Sequence, residues 1–372
     1  MQIKRLQACT CVVPIESPIA FSTRAITERH FTLVRLSVDS GAEGLGFCYS
    51  GHKAGHIVTD AVRDLLRDSV IGRNFKDSDE LWESMYREAL LHGRRGAVLR
   101  AMSVIDIALW DALAHHAQLP LYRYLGAPKK EVVPTYASGG YYADGKRPQD
   151  LAREMERYLQ SGFRAVKMKV GRLPPREDAA RVRAARAAIG ADIPLFLDAN
   201  NAWPDAATAI EALRHFEPYA PGWIEEPLMP DDVEGHAVVA QHVGMPVATG
   251  EVHGTRWDFA QLLEKKAASI LQPDVTVCGG ISEWCRIAGM AAEAQLPVAP
   301  HWVPEVHVHL VAATPNATWV EYFTDATVIN LTTLLQTHLD LRQGHLIVPQ
   351  TPGHGVVLAE TQVRQYAIDG WA

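Results

Sequence analysis

From Val132 onward the chain repeats one unit: a short apolar run, a polar residue at or beside its end, then a longer stretch with helical spacing. Arg164-Ala165-Val166-Lys167-Met168-Lys169-Val170 carries Lys169, Pro194-Leu195-Phe196-Leu197 leads to Asp198, and Gly222-Trp223-Ile224 leads to Glu225. Val247-Ala248-Thr249-Gly250 precedes Glu251, Ile270-Leu271-Gln272-Pro273 precedes Asp274, Pro297-Val298-Ala299-Pro300 precedes His301, and Ala317-Thr318-Trp319-Val320 precedes Glu321. These polar residues follow one another at 20 to 29 positions, a period that fits one strand, one helix and two loops. The spacing predicts helices over Pro148–Leu159, Asp178–Ile189 and Asp205–Phe216, with Val132–Ala137 as the first strand. A parallel βα repeat closes into a barrel whose C-terminal strand ends converge on one mouth. The polar residues are therefore expected in one cavity.

Before the repeat the pattern differs. Residues 1 to about 50 alternate apolar and polar, as in Phe31–Val38. Asp39-Ser40-Gly41 reads as a turn and Glu43–Phe47 as a return strand, so an antiparallel sheet opens the chain. Residues from about 56 to 117 have helical spacing. Ile57, Val62, Leu65 and Leu66 are predicted on one face, and Val104, Ile107, Ala108 and Leu113 continue the pattern. After about Asn330 the repeat stops. The expected organisation is an α+β cap over 1–128, a barrel over 129–325, and a tail over 326–372 that packs back on the cap.

Charge and composition narrow the class. A net charge of −7 without a clustered basic face argues against nucleic acid as a partner. No apolar run reaches the 18 residues of a bilayer span, and no clean leader core stands at the N-terminus, so no membrane partner is expected. The five cysteines, odd in number and without zinc-type spacing, read as reduced thiols of a cytoplasmic protein.

The chemistry lies in the strand ends. Asp198, Glu225 and Glu251 come from three successive strands, and three carboxylates on one side of a cavity suit a hard divalent cation such as Mg²⁺. Lys167 and Lys169 stand two apart, so both face the barrel interior. Their mutual repulsion favours losing one proton, and a lysine of lowered pKa is a general base. Asp274 and His301 end the sixth and seventh strands, where a carboxylate can fix an imidazole's tautomer and raise its basicity. His307 and His309 are expected to be structural. Lys169 and His301 would flank the metal site from opposite walls. A carboxylate substrate held between them could lose its α-proton to either, with Glu321 as an acid near the developing charge.

With these residues placed, the chain resembles the enolase superfamily, mandelate racemase subgroup, over nearly its whole length. Ala101–Asp111 is similar to the segment before that family's barrel, Gly162–Val170 to its strand-two KxK motif, and Trp223-Ile224-Glu225-Glu226-Pro227 to its strand-four metal motif. Gly250-Glu251, Gln272-Pro273-Asp274 with Gly279-Gly280, and Pro300-His301 match strands five to seven. The resemblance implies an α/β fold, a (β/α)7β modified TIM barrel with an α+β capping domain. It implies Mg²⁺ on Asp198, Glu225 and Glu251, with Glu226 as a neighbour. It makes Lys169 one acid/base tuned by Lys167, and His301 held by Asp274 the other. Glu321 becomes a hydrogen-bonding carboxylate and Asn200 a substrate contact. It also implies a homo-oligomer, an octamer being one form. The muconate-lactonising pattern fits less well, since no lysine stands between Asp274 and Gly280.

A small-molecule carboxylate is the expected partner. The cap loops are polar: Ser22, Thr23 and Arg24; Tyr49, Ser50, His52 and Lys53; His92, Arg94 and Arg95. The strand-one loop adds Tyr141 and Tyr142. Arg24, His52 and Tyr141 are taken as substrate-binding candidates, and their chemistry suits a polyhydroxylated acid. Dehydration of a sugar acid to a 2-keto-3-deoxy acid is the leading expectation. A racemase or epimerase, a sugar-lactone cycloisomerase, and a barrel that binds without turnover follow in that order. A phosphate-binding barrel is disfavoured because His301-Trp302-Val303-Pro304-Glu305 stands where a Gly-rich turn would be needed.

Overall fold

The structure is a computed structural model that describes residues 1–20, 25–73, 78–127, 130–324 and 329–372. The expected sheet opening is present as β1 (Ile3–Ala20), β2 (Ala25–Val38) and β3 (Glu43–Gly51), paired antiparallel in that order. The two faces of β2 do different work because side chains alternate along a strand. Val34, Leu36 and Val38 pack on the cap helices, whereas Phe31 and Leu33 pack toward the barrel. The helix Ala97–His116 presses on β3 so closely that a Cβ on Gly44 would lie 2.0 Å from the Ala108 carbonyl oxygen, and one on Gly46 1.9 Å from that of Val104. Only glycine permits that approach. Val104, Ile107, Ala108 and Leu113 are buried as expected. Ile57 is not: it is 51% exposed while Val58 is buried. The wide turn at Ala61–Leu66 is π-wound, so the spacing that aligned Ile57 with Val62 on a regular helix does not hold.

The barrel staves are β4 (Val132–Gly139), β5 (Val166–Lys169), β6 (Leu195–Asp198), β7 (Trp223–Glu225), β8 (Val247–Thr249) and β9 (Ile270–Leu271), each parallel to the next. The seventh stave is reduced to the bridges Leu271↔Val298 and Val298↔Ala317. The eighth is β10 (Val320–Phe323), which pairs parallel with β4 and closes the ring. Among the described residues the helices Pro148–Gln160, Pro175–Ile189, Ala206–Arg214, Val233–His242, Thr255–Lys265, Ile281–Glu293 and Pro304–Ala313 follow the first seven staves. Tyr136, Phe196, Trp223, Ala248 and Ala299 fill the interior beneath the mouth.

The tail adds β11 (Leu341–Arg342) and β12 (His345–Ile347), the latter antiparallel to β4. It then returns to the cap: Ile368 donates its N–H to Thr10 O, and the Ala8 N–H reaches Ala372 O at 3.0 Å. The divisions drawn at 128/129 and 325/326 fall on residues outside the described ones.

The cap helix also grips the turn after the sixth stave. Ser282 donates to Asp106 from its N–H (2.9 Å) and its hydroxyl (2.7 Å). The Gly279 N–H donates to Ser103 Oγ (3.0 Å), and Trp82 Nε1 donates to Gly279 O (2.8 Å). A Cβ at Gly280 (φ 92°) would fall 2.4 Å from an Asp106 oxygen. Burial pushes the Asp106 carboxyl up to about 7, although the Ser282 bonds oppose the shift. We expect Asp106→Ala to lower unfolding free energy by about 1–3 kcal/mol, read by chemical denaturation, because it leaves buried donors unanswered. The folded chain holds the Asp106 proton more tightly than the unfolded chain does. Its contribution is therefore present in acid and lost as pH rises from about 4 to about 7, and Asp106→Asn should flatten that slope in stability–pH curves.

Candidate active site

Strand register places the chemistry. Lys169 pairs with Asp198 and Asp198 with Glu225, so three successive staves end in one layer. Glu251 follows Gly250, whose φ of 143° and close approach to the Gln272 backbone exclude a side chain. Oxygens of Asp198, Glu225 and Glu251 lie within 4.8 Å of one another. Asp198 and Glu225 are fully buried, and the Glu251 side chain is 15% exposed toward the mouth.

The lysines answer these acids. Lys167 Nζ donates to both Glu225 oxygens, at 2.6 and 2.8 Å, and stands 2.7 Å from Glu321 Oε1 and 3.6 Å from Asp198. Lys169 Nζ donates to Asp198 Oδ2 at 2.5 Å. The expectation that one lysine would have a lowered pKa is corrected here. Burial pulls both down, but Glu225, Glu321 and Asp198 around Lys167, and Asp198 and Tyr141 beside Lys169, raise both above the ordinary range. Lys–Lys repulsion is the smaller effect because carboxylates arrive from neighbouring strands.

Glu225 also accepts from Gln272 Nε2 (2.8 Å) and Trp223 Nε1 (3.2 Å). Burial and then Asp198 push its carboxyl up to about 8, with Glu321 and Glu251 adding to this against Lys167. Asp198 goes the other way, to about 2, because Lys169 and Lys167 outweigh its burial. Glu226, turned inward at φ 43°, is buried, and its Oε1 has no hydrogen-bond partner among the described residues. Burial, Glu251 and Asp198 hold its carboxyl well above the usual range.

His301 faces this group. Its Nδ1 is 2.9 Å from Asp274 Oδ2 and its Nε2 is 3.6 Å from Glu251 Oε2. Burial lowers its pKa, but Glu251, the Asp274 hydrogen bond and Glu321 together raise it to about 10. Asp274 is itself fixed by the N–H and hydroxyl of Thr276, and Glu321 Oε2 accepts the Trp302 N–H at 2.9 Å. His307 and His309 are structural: the first takes the Val275 N–H on Nε2 and lies 2.5 Å from Trp302 O, the second packs beside Tyr122.

A cavity of about 190 Å³ opens above, lined by Lys169, Asn200, Glu226, Glu251, Asp274 and His301 from the barrel, with Tyr141 beside them. A roomier hollow of about 620 Å³ around Asp111 and His115 includes none of these groups. The cap candidates sort unevenly. Tyr141 lines the cavity, its ring centroid 5.3 Å from Lys169 Nζ, and Tyr49 lines it too. His52 does not: β3 ends at Gly51, whose φ of 114° turns the chain, and the imidazole falls outside the lining. Arg24, with Ser22 and Thr23, lies outside the described residues. Arg95 instead reaches Asp258 at 2.6 Å, and the Tyr142 hydroxyl donates to Asp178 at 2.8 Å. Two charged lining residues, Arg29 and Arg100, were missed from sequence. Arg29 carried a signal: it shares the strand phase of Phe31 and Leu33, the barrel-facing side of β2.

The donor set fits a hard divalent cation. Three carboxylates converge, the acids exceed the local lysines, and burial together with the neighbouring acids raises the pKa of both Glu225 and Glu226. Arrangement and fold together define a class. Residues 5–126 match the mandelate racemase / muconate lactonizing enzyme N-terminal domain, and residues 150–362 match the enolase C-terminal domain-like family. The chain belongs to the enolase superfamily, in its mandelate racemase and muconate-lactonizing branch.

Within that family it is 33% identical to a 3,6-anhydro-alpha-L-galactonate cycloisomerase of Streptomyces coelicolor, across 98% of this chain and 99% of the relative. It is equally similar, at 33%, to an L-talarate/galactarate dehydratase of Salmonella typhimurium, across 98% and 91%. An L-talarate dehydratase from Polaromonas, solved with Mg and L-glucarate, superposes with a TM-score of 0.89 at 33% identity, over 99% of this chain and 98% of that one.

A cation entering this site must displace the proton that burial and Asp198 keep on Glu225. Calorimetry of Mg²⁺ binding near pH 7, in buffers of differing ionisation enthalpy, should therefore detect proton release, and affinity should rise from pH 6 to 8. At about 100 times its dissociation constant Mg²⁺ should stabilise the fold by about 2.7 kcal/mol, a shift that Glu225→Gln should abolish.

Proposed function

We propose that this enzyme removes the proton α to the carboxylate of a sugar acid, using Mg²⁺, and expels the β-hydroxyl as water to yield a 2-keto-3-deoxy acid. The observation that carries the reading is the pair Lys169 and His301 on one cavity, on staves two and seven of eight, with the carboxylate cluster on the staves between them. Asp198, Glu225 and Glu251 would hold the cation, which supplies positive charge where two carboxylate oxygens become electron-rich.

The chain's own groups do the rest. With Asp198 committed elsewhere, Lys169 loses its ionic partner and can shed its proton to become a base. It takes the α-proton, and the C–H electron pair moves into the carboxylate to form an enediolate. Glu321, fixed by the Trp302 N–H, stands beside Lys167, which also engages Glu225. His301, held by Asp274, donates its proton to the departing β-hydroxyl. The C–O bond breaks, water leaves, and the resulting enol tautomerises to the ketone. Tyr141 and Asn200 are proposed as contacts to substrate hydroxyls. Substrates of opposite α-configuration would exchange the roles of Lys169 and His301. The dehydratase relatives in Salmonella and Polaromonas support dehydration, and the equally similar Streptomyces cycloisomerase makes cycloisomerisation the second reading.

A panel of aldonates and aldarates with Mg²⁺ in D₂O, followed by ¹H NMR and a 2-keto acid assay, tests the reading. Keto-acid formation is expected. Exchange or inversion of the α-proton without keto product would transfer the assignment to racemase or epimerase, and no exchange with any member would refute it. Lys169→Ala and His301→Asn should each lower kcat by at least about 10²–10⁴-fold while calorimetric Mg²⁺ binding persists.

A further inference from the structure

The roof of the cavity has the opposite charge from its floor. Arg29 reaches the cavity from β2 and retains 6% exposure. Its guanidinium carbon lies 5.0 Å from the Tyr49 ring centroid. Arg100, from the helix Ala97–His116, lines the same wall and donates from Nη1 to Tyr49 O at 2.9 Å. Arg100 thereby braces the backbone of the residue whose ring Arg29 overlies. Tyr141 lies between floor and roof: burial raises the pKa of its hydroxyl, and both Lys169 and Arg29 oppose that shift. The described cap thus contributes two guanidiniums to this wall, and the barrel contributes carboxylates around the base and the acid.

We propose that Arg29 makes this enzyme selective for dicarboxylic sugar acids, by receiving the carboxylate at the far end of the chain from the carbon that loses its proton. The inference rests on the sugar-acid reading above and deepens it. One carboxylate of the substrate goes to the cation site on the floor. An acyclic chain leaving that site in a cavity of about 190 Å³ runs toward the cap. A planar guanidinium offers two parallel N–H donors that match a carboxylate, and such charge-assisted pairs gain strength in a water-poor site. A primary alcohol at the same position offers a single neutral oxygen and no countercharge. Burial pulls the Arg29 guanidinium below its ordinary range against the Tyr49 and Tyr141 hydroxyls, and a facing carboxylate brings the full negative charge that a neutral hydroxyl lacks. Discrimination by a charged hydrogen-bonding group is steep, since a substrate without the matching carboxylate forgoes the paired bonds.

The test uses the full-length Mg²⁺-loaded enzyme and matched pairs from whichever configuration undergoes α-proton exchange, each pair differing only in a terminal carboxylate or primary alcohol. The quantity read is the diacid-to-monoacid ratio of kcat/KM, for the wild type, Arg29→Lys and Arg29→Met, with folding checked by circular dichroism. The wild type should favour the diacid by about 10²-fold or more, most of it in KM, and Arg29→Met should collapse that ratio by a similar factor. Arg29→Lys should retain part of it, because the charge remains and the fork is lost. A wild-type ratio near one, or equal losses on both substrates in Arg29→Met, overturns the assignment while leaving the dehydratase reading intact. Absence of α-proton exchange with every sugar acid would overturn the dehydratase reading and the inference together.

Discussion

Three carboxylates that repel one another are held within 4.8 Å in a buried site, and the rest of the molecule is arranged to tolerate that crowding. Like charges at such distances, removed from water, cannot all remain ionised without cations among them. In the chain alone the response is divided: Lys169 takes Asp198, Lys167 spans Glu225 and Glu321, and Glu225 is pushed up to about 8. A divalent cation relieves the same tension more directly. Held there, it would also free Lys169 from Asp198, so that in the proposed reaction occupancy of the site and basicity of Lys169 would be two aspects of one charge balance.

The crowding persists because the frame is rigid on all sides. Parallel register sets Lys169, Asp198 and Glu225 level with one another, and the aromatic layer of Tyr136, Phe196 and Trp223 beneath them leaves little room to sink inward. Above, the cap is fixed to the barrel by the bonds from Ser103, Asp106 and Trp82 to the turn at Gly279–Ser282. That turn follows Asp274, whose carboxylate orients His301. A helix of the cap therefore supports the geometry of a barrel imidazole, and the two units make one site. The guanidiniums that the cap brings over the cavity give its two ends opposite sign.

Much of this was legible because a polar residue that closes an apolar strand interrupts a regular pattern. Asp198, Glu225, Glu251, Asp274, His301 and Glu321 all announced themselves that way, even though the seventh stave is little more than a bridge at Val298. What failed did so for identifiable reasons. Lys167 and Lys169 repel along one strand, whereas the carboxylates that dominate arrive across strands, where linear sequence gives no distance. His52 was a polar loop residue, and loops have no period from which direction can be read. Ile57 was aligned on a regular helix that is locally π-wound. Arg29 went unnoticed because a single arginine in an alternating strand reads as surface, although its phase with Phe31 and Leu33 pointed inward.

The central claim is that Asp198, Glu225 and Glu251 form one cation site. Anomalous diffraction from crystals soaked in Mn²⁺ tests it directly. The account predicts a single strong peak bonded to one oxygen from each of these three residues, with Lys169 Nζ separated from Asp198. A peak coordinated by other groups, or none at this position with the Lys169–Asp198 contact unchanged, would contradict it.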